Sequence, residues 1–121
     1  MAKTILVADD NPLIRKMLCE LFSAEGAYDV CAESTNGQDA VDLAVKYRPA
    51  LIVLDLSMPI LNGVEAAREL KKIMPDVPII LFTQHAYFNH EMLAGERLFD
   101  RIVSKSDFRD LIGHVKALVP V

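Results

Sequence analysis

Short apolar runs and helix-spaced stripes alternate along this chain, and that alternation limits its architecture more than any other feature. KTILVA (3–8), YDVCAES (28–34), LIVL (51–54), VPIILFT (77–83) and RIVSK (101–105) read as strands. LIVL has no polar interruption, which suits a central parallel strand buried on both faces. Between the runs, Leu13, Ile14, Met17, Leu18, Leu21 and Phe22 recur at helical spacing, after Asn11-Pro12 and before Gly26. Ala40, Val41 and Ala44 mark a second helix that ends near Arg48-Pro49, with Asp39 and Asp42 on its solvated face. Val64, Ala67, Leu70, Ile73 and Met74 mark a third, from Gly63 to Met74. A blurred stripe of Tyr87, Phe88, Met92 and Leu93 predicts a fourth over about 86–97, and Phe108, Leu111, Ile112, Val115, Leu118 and Val119 trace a fifth. The pattern predicts one (βα)5 domain over residues 1–121: an α/β fold with a parallel sheet, helices on both faces and right-handed crossovers.

Composition excludes several classes of function. At 121 residues, 52% hydrophobic and 25% charged, the chain is globular and long enough to bury a core. No apolar run approaches the roughly 20 residues of a membrane span, and MAKTILVADD lacks the features of a signal peptide, so a cytoplasmic protein with no membrane partner is expected. Cys19 and Cys31, without CxxC spacing, are expected to be reduced core thiols. A formal charge of −4 argues against direct nucleic-acid binding, which depends on basic patches. Lys71-Lys72 reads as the solvated end of a helix.

In open parallel sheets, ligands bind beyond the carboxyl ends of the strands. Here the first strand ends in Asp9-Asp10, the third in Asp55, the fourth in Thr83 and the fifth in Lys105. The second contributes nothing obvious. Asp55 alone is ambiguous, because Asp commonly ends strands. Three carboxylates gathered on one rim are another matter, since pairs about 5 Å apart repel by roughly 3 kcal/mol at an effective dielectric of ~20. A hard divalent ion relieves that repulsion, and Mg²⁺ prefers oxygen ligands. A lysine and a hydroxyl nearby are the groups needed to hold phosphoryl oxygens while a carboxylate attacks phosphorus.

Across essentially its whole length the sequence resembles the receiver domain of two-component response regulators. The resemblance rests on the ADD of residues 8–10, LDLSMP at 54–59 with Asn62-Gly63, then Thr83 and Lys105, in that order and spacing. It implies a flavodoxin-like doubly wound fold with strand order 2-1-3-4-5. It also implies that Asp55 is the phosphoacceptor, served by a histidine kinase or histidine phosphotransfer protein. Asp9, Asp10, Asp55 and the backbone carbonyl of Ser57 would arrange Mg²⁺, and Thr83 and Lys105 would hold the phosphoryl oxygens. Phosphorylation would then bias a surface formed by the fourth helix, fifth strand and fifth helix toward an output partner or domain, or toward a phosphorylation-dependent dimer.

Three positions depart from the commoner family pattern. Ile102 stands at the switch position where Tyr or Phe is frequent, and a β-branched aliphatic cannot reproduce an aromatic's in-or-out rotation. Ser106 stands where a cis proline often follows the lysine, so a trans bond is expected. Gln84 is larger than the usual neighbour of the threonine and is positioned to narrow access to Asp55; His85 beside it reads as an exposed loop residue. Two other functions fit parts of the pattern: a degenerate receiver acting as a constitutive interaction domain, and a small Mg²⁺-dependent phosphohydrolase using an aspartyl phosphate. No cap domain or evident substrate pocket supports the latter. Ending just after its fifth helix, the chain is expected to be either a stand-alone receiver or part of a longer regulator.

Overall fold

The computed structural model describes residues 2–84 and 98–121. The helix expected over 86–97, together with His85, lies outside the described residues. Strands β1 (Lys3–Ala8), β2 (Tyr28–Ser34), β3 (Leu51–Leu54), β4 (Ile79–Thr83) and β5 (Arg101–Ser104) form one parallel sheet in the order β2-β1-β3-β4-β5. Helices α1 (Pro12–Glu25), α2 (Gly37–Tyr47) and α3 (Gly63–Ile73) follow the first three strands, and the C-terminal helix Leu111–Leu118 closes the chain.

The period-2 pattern of the strands divides the core in two. Ile5, Val7, Leu51, Val53, Ile80, Phe82 and Val103 face α1 and the C-terminal helix, meeting Leu18, Phe22, Leu111 and Val115. Leu6, Ala8, Ile52, Leu54 and Ile79 face α2 and α3, where small residues, Ala40, Ala44, Ala66 and Ala67, let the helices lie close. β3 is fully buried along its four residues, as its unbroken apolar run requires.

Local chemistry sets the ends. Pro12 opens α1 under an Asn11 cap, and Gly26 ends it in the left-handed region at φ 69°. Asn36 caps α2, and Asn62 with Glu65 forms a reciprocal capping box on α3. Three expected boundaries shift. β4 begins at Ile79 rather than Val77, because Pro78 has no N–H for the ladder. β5 stops at Ser104, and Lys105 opens a 3-10 turn, Lys105–Asp110, instead of ending the strand. Phe108 belongs to that turn, so the final α-helix starts later than its apolar stripe suggests. No peptide bond among the described residues is cis, in keeping with Ser106.

Candidate functional site

Strand register brings the predicted residues to one rim. Ala8 pairs with Leu54 and Leu54 with Leu81, so Asp9 and Asp55 leave adjacent strands side by side, tied by the Asp55 N–H donating to the Ala8 carbonyl at 2.9 Å. Thr83 pairs with Ser104, which sets Lys105 one residue beyond the same level. One carboxylate oxygen from each of Asp9, Asp10 and Asp55 lies within 4.8 Å of the others. Asp9 and Asp55 are buried, at 1% and 6% exposure, whereas Asp10 is exposed. Lys105 Nζ enters between the buried pair, 2.7 Å from Asp9 Oδ2 and 3.3 Å from Asp55 Oδ1.

Burial raises the Asp55 pKa above the usual carboxylate range, and the Asp9 charge raises it further; Lys105 offsets only part of this. Burial alone would pull Lys105 down, but its close ion-pair contact with the Asp9 carboxylate and the charge of Asp55 outweigh that and hold it above its ordinary value. Asp9 Oδ2 makes no hydrogen bond of acceptable geometry despite lying against the ammonium, so a buried anionic oxygen keeps spare acceptor capacity. Spare capacity on an all-oxygen donor set fits a hard divalent cation.

The backbone around the acids is equally constrained. The Asp9 N–H donates to the Ser34 carbonyl at 3.0 Å, Asp9 Oδ1 accepts from the Asn11 N–H at 2.9 Å, and the Asp9 carbonyl accepts from the Arg15 guanidinium at 2.8 Å. Gly63 donates its N–H to the Leu56 carbonyl at 2.8 Å, and a Cβ there would overlap the Asp55 carbonyl oxygen. Glycine at 63 is therefore what lets α3 start against the strand end that carries Asp55.

Of the other predicted residues, Thr83 is fully buried at the end of β4. Ser57 is exposed and lines, with Asp10, Met58, Pro59 and Asn62, an open cleft of about 730 Å³ beside the acids. Ile102 is half-buried, pairs with Leu81 and shares the sheet face of Thr83. Gln84 is exposed just past β4. Cys19 and Cys31 are unpaired and half-buried; burial, with Glu33 second, pushes the Cys19 thiol to about 11, which makes it a poor nucleophile.

The second strand, which shows nothing obvious in its sequence, does contribute. Its last residues reach the site, Ser34 through its carbonyl to Asp9 and Glu33 through Arg15, whose Nε lies 3.5 Å away. A carbonyl contact leaves no mark on residue type, and Arg15 reads as one more polar residue on an amphipathic helix.

The site is thus a doubly wound sheet with two buried acids, a third exposed one and a lysine gathered on its carboxyl rim. The family model for the response regulator receiver domain matches residues 5–116, and the chain belongs to that family. Chemotaxis protein CheY of Thermotoga maritima is 37% identical over 102 residues, covering 82% of this chain and 84% of CheY. Transcriptional regulatory protein DegU of Brevibacillus brevis is 32% identical over 117 residues, covering 94% of this chain and 49% of DegU. The solved structure of response regulator protein TrrA from Thermotoga maritima, in complex with Mg(2+)-BeF, superposes with a TM-score of 0.87 at 35% identity over 97% of this chain and 99% of that one. The chain spans about half the length of DegU and 22% of a protein-glutamate methylesterase from Hahella chejuensis to which it is also similar. Among the described residues, no helix is long and apolar enough to cross a membrane.

Proposed function

We propose that this chain is a phosphorylatable signalling module in which Asp55 accepts a phosphoryl group from the phosphohistidine of a histidine kinase or phosphotransfer protein. The observation that carries this reading is the placement of Asp55: a buried carboxylate of raised basicity, beside a second buried acid and 3.3 Å from the ammonium of the half-buried Lys105. Asp9, Asp10, Asp55 and the Ser57 carbonyl are the groups that would hold Mg²⁺. When bound, that ion supplies positive charge to the phosphoryl oxygens and cancels the mutual repulsion of the acids.

The chain's own groups do the rest. Asp55 attacks phosphorus as the donor's P–N bond breaks, and the imidazole leaves with the electron pair, so one O–P bond replaces one N–P bond. Lys105 pairs with an oxygen of the transferred group, and the Thr83 hydroxyl donates to another. Both contacts exist only in the modified state, so they bias the strand ends that carry them. Ile102 cannot swing as an aromatic would, which leaves Thr83 and Lys105 as the switch elements on this side of the sheet. The output is contact with a partner protein or domain over the fifth strand and C-terminal helix, or a phosphorylation-dependent dimer, in the cytoplasm. Catalysis is self-directed transfer and autodephosphorylation rather than turnover of an external substrate.

The test is labelling by a small phosphodonor with and without Mg²⁺, read by intact mass. Wild-type protein gains one phosphoryl group only with Mg²⁺, and Asp55→Asn gains none. Equal labelling of that variant would falsify the assignment of Asp55.

A further inference from the structure

We infer that Arg15 and Glu33 form a positioning pair for the cation site, holding the Asp9–Asp10 peptide so that both carboxylates converge on Asp55. The inference rests on the reading above that these acids take a divalent cation.

On charge alone Arg15 is misplaced. It lies in the first turn of α1, where the helix dipole disfavours a cation, and it brings positive charge toward a site that must attract another. Yet its side chain is only 18% exposed. Its hydrogen bonds explain the position: one guanidinium nitrogen donates to the Asp9 carbonyl at 2.8 Å, while Nε lies 3.5 Å from the Glu33 carboxylate. Glu33, on β2, keeps the planar fork aimed and partly neutralises it.

The contact matters because of which carbonyl it reaches. That carbonyl begins the peptide unit whose N–H belongs to Asp10. The Asp9 N–H is held by Ser34 and its carboxylate by Asn11 and Lys105, so the carbonyl is the remaining handle on that residue. Asp10 is exposed, and its direction of approach therefore depends on its backbone. If the peptide between the acids tips, Asp10 swings away while Asp9 and Asp55 stay in place. Groups that orient metal ligands in this manner commonly change metal affinity by tenfold or more.

For Arg15→Met, charge and positioning predict opposite signs, which makes that variant decisive. The full chain of each variant is titrated with MgCl₂ by calorimetry, and phosphorylation rates are measured at saturating Mg²⁺. Arg15→Met, which keeps the stem and removes the donors, should weaken Mg²⁺ binding about tenfold while the saturated phosphorylation rate stays near wild type. Arg15→Lys should fall between wild type and Arg15→Met. Glu33→Gln should weaken binding about threefold, because it loosens the guanidinium without removing it. A urea midpoint without Mg²⁺ shows whether each variant is folded, and Arg15→Lys, which keeps the charge but loses the guanidinium fork, keeps the test alive should Arg15→Met fail to fold. Unchanged or tighter binding in Arg15→Met, or unchanged binding in Arg15→Lys should Arg15→Met not fold, overturns the inference and leaves the cation site standing. No binding by wild-type protein overturns both.

Discussion

At the scale of single residues, Asp55 is held in a form that costs the native state stability. Its folded pKa lies above the ordinary carboxylate value, chiefly through burial and then through Asp9. The native state thus holds that proton more tightly than the unfolded chain does. The associated stability is fully present below the ordinary carboxylate pKa and is lost as pH rises through the raised folded value. Asp55→Asn keeps the neutral form at every pH. Without Mg²⁺ it should therefore be more stable than wild type in urea unfolding near pH 7, with the gain vanishing as pH falls below the ordinary carboxylate pKa. A variant less stable than wild type at pH 7 would mean that the Lys105 contact dominates instead. Lys105 has the same sign from a different cause and at higher pH: its partners raise its pKa, so its contribution persists below its ordinary value and disappears as pH climbs past the folded one. Both residues were legible in the sequence because each follows an apolar run at the same topological place. Arg15 and Glu33 were not, because their importance lies in a backbone carbonyl and a side-chain fork, and neither leaves a spacing signature.

At the scale of elements, the loop from β3 to α3 concentrates the constraints. Gly63 was legible as part of an Asn-Gly turn, but its actual demand is room, since a methyl there would strike the Asp55 carbonyl oxygen. Gly63→Ala should cost about 2 kcal/mol of stability, the range of other overpacked sites, and should also slow phosphorylation by displacing Asp55. Asn62→Ala is the matched control: it removes the capping-box bond to Glu65 and should cost about 1 kcal/mol with little effect on phosphorylation. Equal slowing in both variants would show that the helix, not the close approach, matters. Ile60 in the same loop is a β-branched residue at φ 70° and is 74% exposed, so it carries strain without burial to offset it. Ile60→Asn should stabilise by about 1 kcal/mol in the same assay. Nothing in the sequence around Pro59 announces that conformation, which the structure imposes between the end of β3 and the cap of α3. Where composition speaks directly, as in the Pro12 start and Gly26 stop of α1, the expected and observed boundaries coincide.

At the scale of the whole molecule, periodicity was enough to read a parallel sheet layered by helices, because each strand's two faces enter different apolar cores. The strand order was not in the periodicity; it came with the family resemblance and is the order observed. That order places β1 and β3 next to each other in the interior of the sheet, so the acids that crowd the rim leave two adjacent interior strands. A cation bound there engages only the native state, because the unfolded chain does not hold residues 9, 10 and 55 together. With three carboxylate oxygens within 4.8 Å and the Lys105 ammonium beside two of the acids, the cluster repels itself by about 3 kcal/mol per pair at an effective dielectric of ~20 before Lys105 reduces it. Mg²⁺ at 100 times its dissociation constant should raise unfolding stability by about 2.7 kcal/mol. The whole transition should move with its urea slope unchanged, since the added ion ties down no new surface. The gain should shrink as pH falls toward the raised pKa of Asp55, because protons compete for the same oxygens, and it should be smaller in Asp10→Asn. Urea curves in MgCl₂ and in NaCl of matched ionic strength separate this from general screening. Coincident curves would mean that Lys105 alone neutralises the rim and that no cation site is present.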